Sequence, residues 1–306
     1  MNFLKMYRLL LVLVMITGCS SDHQSNDDAR LEPVFEFKEI AELDSSIIES
    51  SGITSINDAL FTHSDEQGKA ELIQLNTDGS INDIAIFENI SVRDWEDVAV
   101  SSDYFYIGDI GNNSGNKTDL KILKVPRSLI NDPNPNFETI EFSFADQTDF
   151  DNTTVNQTSY DVEAFTVFND DLFIFTKDWL GLSSTIYRVD NTAGIYSLDP
   201  LATLDIDGLV TGATTSPEGD IIICGYNMAL APFVARIGIE GGIPSIKSKR
   251  ELNGITGAGA QIEGITYNGI VEGVATYYLT SERFSRNIAG EEFTLPANLY
   301  ELKWNE

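Results

Sequence analysis

The sequence predicts an all-β fold, a five-bladed β-propeller, with six blades as the alternative. A short phrase recurs five times, and each copy places an oxygen-bearing side chain in front of an alternating apolar strand. The copies occupy residues 51–54, 96–99, 163–166, 211–214 and 263–266. They begin roughly 45 to 67 residues apart, and blades built of four short strands repeat at about 40 to 50 residues.

Further strands follow each copy of the phrase. Turn-forming pairs such as Asn57-Asp58 and Asn268-Gly269 separate the first strand of a blade from the second. Second strands are predicted at 59–62, 104–107, 172–175, 221–224 and 276–279, and third strands at 71–75, 120–125, 185–189, 233–237 and 299–304. Fourth strands are predicted at 83–87, 139–144, 201–206 and 246–252. The alternation of apolar and polar residues is typical of half-buried strands.

The last blade has no fourth strand of its own, because the chain ends soon after Trp304. Residues 34–43 are strand-like and precede the first blade. Pairing them with the last blade would close the ring and leave no exposed sheet edge. A sixth blade would need strands in residues 145–160, which instead have the composition of a polar loop. Asp149 and Asp151 in this loop are candidate ion ligands, although the glycine and terminal glutamate of an EF-hand loop are missing.

The N-terminus has the features of a bacterial lipoprotein signal. Lys5 and Arg8 precede a short apolar run, and Ile16-Thr17-Gly18-Cys19 resembles a lipobox. We therefore predict a signal peptide over 1–18, a lipidated polar tether over 19–32 and one propeller domain over 33–306. Lipid on Cys19 would anchor an exported protein to the outer membrane, with exposure on the cell surface and a location on the inner side of that membrane as the alternatives. The alternative is a plain secretory signal with a chance cysteine.

Composition limits the partners and the redox chemistry. The formal charge of −29 and the pI near 4.1 exclude nucleic acid as a partner, because phosphates would be repelled. The apolar fraction of 42% supports a core. Once Cys19 carries lipid, only Cys224 remains, so no internal disulfide can form. Cys224 follows three isoleucines and is predicted to be a packed apolar residue. We expect a monomer.

The first positions of the five phrases are predicted to form a ring around the central channel. They are Ser51, Glu96, Glu163, Thr211 and Glu263. Three converging carboxylates repel one another unless a cation or protons neutralise them. Ca²⁺ prefers six to eight oxygen ligands and tolerates irregular geometry, whereas Zn²⁺ prefers the histidine and cysteine ligands that this ring lacks. The sequence therefore predicts one central Ca²⁺, with a hydrated acidic channel as the alternative.

The ends of the second strands are expected at the same face as this ring, and they carry the candidate catalytic and binding residues. Asp65, Asp109 and Glu282 are the candidate bases that would activate water. The candidate substrate-binding residues are His63, Lys177, Arg283, Trp179 and Tyr226. Lys177 and Arg283 would contact anionic oxygens, and the aromatic rings would provide stacking area. Simple pairing of the two cations with Asp178 and Glu282, and packing of the aromatic rings between blades, are the alternatives.

The order Ser, Glu, Glu, Thr, Glu at the five inner strands resembles the calcium-activated nucleotidases (apyrases), over about residues 47–270. The motifs are Glu49–Ile53, Trp95–Val100 with Tyr106–Gly108, Val162–Ala164, Thr211 and Ile262–Ile265. This resemblance implies a five-bladed propeller whose Ca²⁺ ligands are the five ring residues. Trp95–Asp97 and Tyr106–Asn112 also resemble secreted bacterial propellers, some of them labelled phytase-like or esterase-like.

Two departures from the nucleotidases bear on activity. Residues 63–68 contain no arginine, and Lys177-Asp178 stands where the family has paired arginines. The function hypothesis is a Ca²⁺-dependent hydrolase of phosphate anhydrides or esters, with a small anionic ligand in the pocket. The alternative is a non-catalytic surface propeller that binds an envelope glycan or peptide. A glycan-cleaving hydrolase or lyase is a third, weaker hypothesis.

Overall fold

A computed structural model describes residues 33–47, 49–65, 68–252, 259–288 and 291–305, and within these ranges the only helix is a 3₁₀ turn at Arg127–Leu129. The strands of blade 1 and the strand that precedes it are β1 (Val34–Glu42), β2 (Ser50–Ile56), β3 (Ala59–Ser64), β4 (Glu71–Leu75) and β5 (Ile81–Ile86). Blade 2 contains β6 (Trp95–Val100), β7 (Tyr104–Asp109), β8 (Leu120–Pro126) and β9 (Glu138–Phe144).

The remaining blades follow the same order of strands. Blade 3 contains β10 (Asp161–Phe168), β11 (Asp171–Lys177), β12 (Ser184–Asp190) and β14 (Pro200–Leu204), with β13 (Gly194–Leu198) between the last two in sequence. Blade 4 contains β15 (Leu209–Thr215), β16 (Ile221–Tyr226), β17 (Pro232–Glu240) and β18 (Ile243–Glu251). Blade 5 contains β19 (Ile262–Val271), β20 (Val274–Ser281) and β23 (Asn298–Asn305), and a hairpin of β21 (Phe284–Ile288) and β22 (Glu291–Leu295) lies between its last two strands in sequence.

The five sheets confirm the predicted five-bladed propeller and its closure. Strand β1 pairs antiparallel with β23, from Val34 opposite Asn305 to Glu42 opposite Asn298. The strand from before the first blade therefore supplies the fourth strand of the last blade. Residues 145–160 contain no strand, so the alternative of a sixth blade is wrong.

The core lies between the blades. The inner strands β2, β6, β10, β15 and β19 contact one another in a closed ring. The described apolar side chains form five buried clusters, one at each interface between neighbouring blades. Cys224 is a free thiol, fully buried in the cluster between blades 4 and 5, which confirms the predicted packing role. Each blade buries its two faces against its neighbours, and this explains the nearly continuous apolar runs of the second strands.

Two features were not predicted. Strand β13 leaves blade 3 and pairs parallel with β9 on the outer edge of blade 2, from Gly194 opposite Ile140 to Leu198 opposite Phe144. The hairpin β21–β22 forms a separate two-stranded sheet directly after Glu282 and Arg283. The position of β13 depends on its pairing with another blade, which a local sequence pattern does not report.

The predicted signal peptide (1–18), the polar tether (19–32) and the lipidation site Cys19 lie outside the described residues. From Pro33 onward the chain forms one compact unit. Within the described ranges, no helix combines the length and the hydropathy needed to cross a bilayer.

Candidate functional site

The five ring positions coincide with breaks in strand pairing. The register between the first two strands of each blade skips one residue, and in blades 2 to 5 this is the ring residue itself: Glu96, Glu163, Thr211 and Glu263. In blade 1 the skipped residue is Gly52, directly after Ser51. A β-bulge bends the strand and redirects a side chain. In every blade the ring residue therefore lies at a bulge or directly beside it.

Four of the five predicted ring residues line one pocket at this end of the propeller. The pocket has a volume of about 180 Å³. Its lining comprises Ser51, Asp65, Glu96, Asn113, Asn156, Glu163, Lys177, Trp179, Tyr226, Gln261, Glu263 and Glu282. Five carboxylates therefore face the same small space as one ammonium group. Most of these residues were predicted to lie together, because the start of the first strand and the end of the second strand of a blade meet at the same face.

The inner carboxylates of this pocket are buried and short of positive charge. Burial raises the pKa of Glu96 and Glu263 well above the usual range, and it raises the pKa of Glu163 to about 8. Repulsion from neighbouring acids adds to the effect for Glu96 and Glu263. In addition, Glu263 is only 5% exposed, and its Oε2 has no hydrogen-bond partner among the described residues. Such a buried acceptor calls for a proton or a cation.

Lys177 supplies the one positive charge of the pocket. Its Nζ donates to Glu163 Oε2 at 2.6 Å and lies 5.0 Å from the ring centre of Trp179 and 5.5 Å from that of Tyr226. Burial acts to lower the pKa of Lys177, but attraction to Glu163 and the other acids outweighs it, so the pKa stands well above the usual range. Lys177 is therefore held as an ammonium group inside the ring.

A second group of acids lies beside the ring. Burial, a side-chain hydrogen bond with Glu49 and the charge of that residue raise the pKa of Asp65 to about 7. Burial also raises the pKa of Glu282. A carboxyl group that titrates near neutral pH suits proton transfer. Of the three candidate bases, Asp65 and Glu282 line the pocket and Asp109 does not.

Asp109 and His63 serve the packing of the blades instead of the pocket. The Asp109 carboxylate is fully buried, accepts the backbone N–H of Asp94 at 2.8 Å and lies 3.3 Å from Lys121 Nζ. The His63 ring is fully buried and stands edge-on to Trp95, with ring centres 5.7 Å apart. The prediction that these two side chains line the pocket is therefore wrong. Asp109 contacts residues of its own blade, and His63 packs against the neighbouring blade.

Thr211 and Arg283 are also absent from the lining. The Thr211 hydroxyl donates to the carbonyl of Ile262 at 2.5 Å, and it thereby joins the inner strands of blades 4 and 5. Arg283 is exposed, directly after Glu282. Trp179 and Tyr226 do line the pocket, as predicted. Their indole N–H and phenol oxygen are engaged by Asp161 Oδ2 and Gln261 Nε2.

Three amide side chains of the lining were not predicted: Asn113, Asn156 and Gln261. Asn156 comes from the 145–160 loop, whose backbone reaches the blade 2 loop through a hydrogen bond from Asn156 N–H to the Asn113 carbonyl at 2.8 Å. Asn113 directly follows the quoted motif 106–112, and Gln261 directly precedes β19. The proximity of Asn113 and Gln261 to these strand-end motifs is the sequence feature that could have predicted them. Asp149 and Asp151 of the same loop line a separate surface pocket with Gly115 and Tyr160.

The donors of the central pocket fit a Ca²⁺ ion in part. Ser51 Oγ donates its proton to the Glu96 carbonyl at 2.7 Å, which leaves its lone pairs available, and Glu263 Oε2 has no hydrogen-bond partner within the described part of the chain. Glu163 is already paired with Lys177. Across the described ranges, no three histidine, cysteine or acidic side chains are placed to hold one metal ion. The side chains of the predicted ring that could still contribute to an ion site are therefore Ser51, Glu96 and Glu263, with water needed to complete the coordination, and not the full five-residue ring.

No protein-family model and no curated protein sequence matches the chain. Solved structures share its architecture at low identity. The PQQ-bound aldose sugar dehydrogenase of Streptomyces coelicolor is 11% identical with a TM-score of 0.50, over 88% of this chain and 98% of the other. The glutaminyl cyclase of Myxococcus xanthus is 15% identical with a TM-score of 0.50, over 90% and 98%. These similarities concern the fold alone.

Proposed function

We propose that the protein is a calcium-binding propeller whose loaded pocket hydrolyses phosphate anhydrides or esters. The observation that carries this proposal is the charge of the central pocket, where five carboxylates and one ammonium share about 180 Å³. Burial and mutual repulsion raise the pKa of these acids, so a divalent ion would bind by displacing their protons, and the ionised pocket would attract cations and repel anions. An anionic substrate would therefore enter only after a divalent ion has bound.

Ser51, Glu96 and Glu263 would hold the ion, because their oxygens line the pocket and are not paired with Lys177. A bound Ca²⁺ supplies electrostatic stabilisation of phosphate oxygens. Asp65 and Glu282 lie in the same pocket and would accept the proton of an attacking water. Asp65 suits this role best, because its carboxyl group has a pKa of about 7. Contact of Lys177 with the anion remains a prediction, since Lys177 is paired with Glu163.

Thermal unfolding tests the ion. The purified protein is treated with a chelator and then melted with Ca²⁺, Mg²⁺ or Zn²⁺ added. A ligand that binds only the native state, at a hundredfold excess over its dissociation constant, raises the free energy of unfolding by about 2.7 kcal/mol. A rise in Tm that is specific to Ca²⁺ and is lost in Glu96→Gln and Glu263→Gln supports the site. An unchanged Tm with all three ions overturns it.

Hydrolysis is tested on nucleoside diphosphates and triphosphates and on aryl phosphates in the same buffers. Ca²⁺-dependent phosphate release that falls at least tenfold in Asp65→Asn supports the enzyme. Asp83→Asn, which changes an exposed acid in β5, is the matched control and should leave the rate unchanged. Binding of calcium without any phosphate release would support the ion site and contradict the proposed hydrolase activity.

A non-catalytic pocket for a glycan or peptide is the second candidate. The partly exposed Trp179 lies beside the amide groups of Asn113, Asn156 and Gln261. A stacking surface next to neutral donors and acceptors suits sugar hydroxyls or peptide groups. Trp179→Ala should abolish capture on a glycan array if this candidate is correct. Capture that is equal in the variant and the wild type would exclude this pocket.

We also propose that lipid on Cys19 attaches the protein to the outer membrane. The support is the lipobox at 16–19 in front of a polar tether.

A further inference from the structure

The ammonium group of Lys177 occupies a position that is built for a cation. The residue ends β11, and it is only 4% exposed. Its Nζ lies 2.6 Å from Glu163 Oε2 and faces the rings of Trp179 at 5.0 Å and Tyr226 at 5.5 Å. One carboxylate and two aromatic faces are a favourable setting for a desolvated cation. The pocket thus already contains a positive charge of its own.

Glu163 is the ring carboxylate that this charge engages, and its pairing distinguishes it from the other two. Lys177 donates a charge-assisted hydrogen bond to Glu163, whereas Glu263 Oε2 has no hydrogen-bond partner in the described part of the chain. Glu163 comes from a bulge equivalent to those of Glu96 and Glu263. Without the ammonium, the three ring carboxylates would therefore be alike in position and in charge.

We infer that Lys177 is the resident cation of the ring and a specificity-determining residue for ion binding: it competes with an added divalent ion for Glu163. The ammonium would remove one ligand from the ion and add one positive charge to the same pocket. Both effects weaken the binding of a divalent ion. This inference names the regulator of the proposed calcium site, but Lys177 would hold the same position even if the wild-type protein bound no calcium.

The test is calorimetric titration of Ca²⁺ into chelator-treated protein. Lys177→Met should bind Ca²⁺ at least tenfold more tightly than the wild type, because Glu163 becomes available and the competing charge is gone. Lys177→Arg keeps the charge and should bind as the wild type does. The double variant Lys177→Met with Glu163→Gln should lose most of the gain, because the released ligand is removed as well.

Lys124→Met is the matched control. Lys124 is 9% exposed, lies 3.3 Å from Glu138 Oε2 and faces the ring of Tyr104 at 4.3 Å. It therefore has the same kinds of contact outside the pocket, and its loss should leave the calcium affinity unchanged. If Lys177→Met does not fold, Lys177→Gln takes its place: it removes the competing charge, and a gain in Ca²⁺ affinity smaller than that of Lys177→Met is expected because the amide can still donate to Glu163.

The outcomes separate this inference from the proposed function. Tighter binding by the charge-removing variant supports the inference, and if the wild type then binds no Ca²⁺, only the proposed function is overturned. Equal affinity in the variant and the wild type overturns the inference and leaves the calcium site standing. An absence of binding in both proteins overturns both.

Discussion

The carboxylate of Asp97 in blade 2 accepts the backbone N–H of Phe165 in blade 3 at 2.9 Å. Its other oxygen accepts the N–H of Val98 at 2.8 Å, and the carboxylate also receives a backbone hydrogen bond from Ala213 in blade 4. Asp97 is fully buried. One side chain, next in sequence to the ring residue Glu96, therefore joins the inner strands of blades 2, 3 and 4.

Asp97→Ala should strongly destabilise the protein, because at least two buried N–H groups lose their acceptor. Each unsatisfied buried group costs about 1–3 kcal/mol, so we expect a loss of about 3 kcal/mol or more in the free energy of unfolding. Asp97→Asn keeps one acceptor oxygen and should cost less. Urea unfolding measures both variants. Asp83→Ala, which removes an exposed carboxylate bonded to Ile84 N–H, is the control, and a loss for Asp97→Ala as small as for this control would contradict the prediction.

Gly52→Ala should lower the free energy of unfolding far more than the same substitution at another glycine with a left-handed backbone conformation. Gly52 has a φ of +59°, and a Cβ there would lie 2.7 Å from Asp97 Cα, which is backbone and cannot move aside. Gly219 has a φ of +82° with no atom near its Cβ position. The control Gly219→Ala should cost about 1–2 kcal/mol from the backbone conformation alone. Thermal and urea unfolding should give a clearly larger loss for Gly52→Ala, and similar losses would show that blades 1 and 2 can separate there.

His63 should make the stability of the protein depend on pH between about 6.5 and 4. Burial lowers the pKa of His63 from 6.5 to about 4, so the folded protein favours the neutral ring. The stabilisation is complete above pH 6.5 and is lost as the pH falls towards 4, by about 3 kcal/mol in total. Urea unfolding of the wild type and of His63→Gln, which stays neutral throughout, isolates this contribution. Parallel stability curves for the two proteins would rule it out.

Cys19→Ser should move the protein from the membrane fraction to the soluble exported fraction in a bacterial host. In the proposed lipoprotein the thiol of Cys19 would be the acyl acceptor, and the hydroxyl of serine would not replace it in that reaction. Fractionation and mass spectrometry of the N-terminal peptide measure the change. Cys224→Ser is the control, because Cys224 is buried in the propeller. Membrane retention of Cys19→Ser would contradict the lipoprotein assignment.

The ring residues show how much a local motif can predict. The recurring phrases correctly indicated that Ser51, Glu96, Glu163 and Glu263 meet at one pocket. They did not indicate that each phrase contains a β-bulge, because a bulge is a mismatch between two strands and belongs to neither strand alone. Nor did they show that the Thr211 hydroxyl is engaged by the carbonyl of Ile262 instead of facing the pocket.

The sequence by itself determined the blade order, the turns and the closing strand, since hydrophobic alternation and turn residues act over a few neighbouring positions. Only the tertiary structure decided which charges meet. It paired Lys177 with Glu163 across a bulge, placed His63 against Trp95 of the next blade, and moved β13 onto blade 2. The physical reason is that burial and partner choice depend on atoms that are distant in sequence, so the electrostatic character of the pocket appears only when the ring is closed.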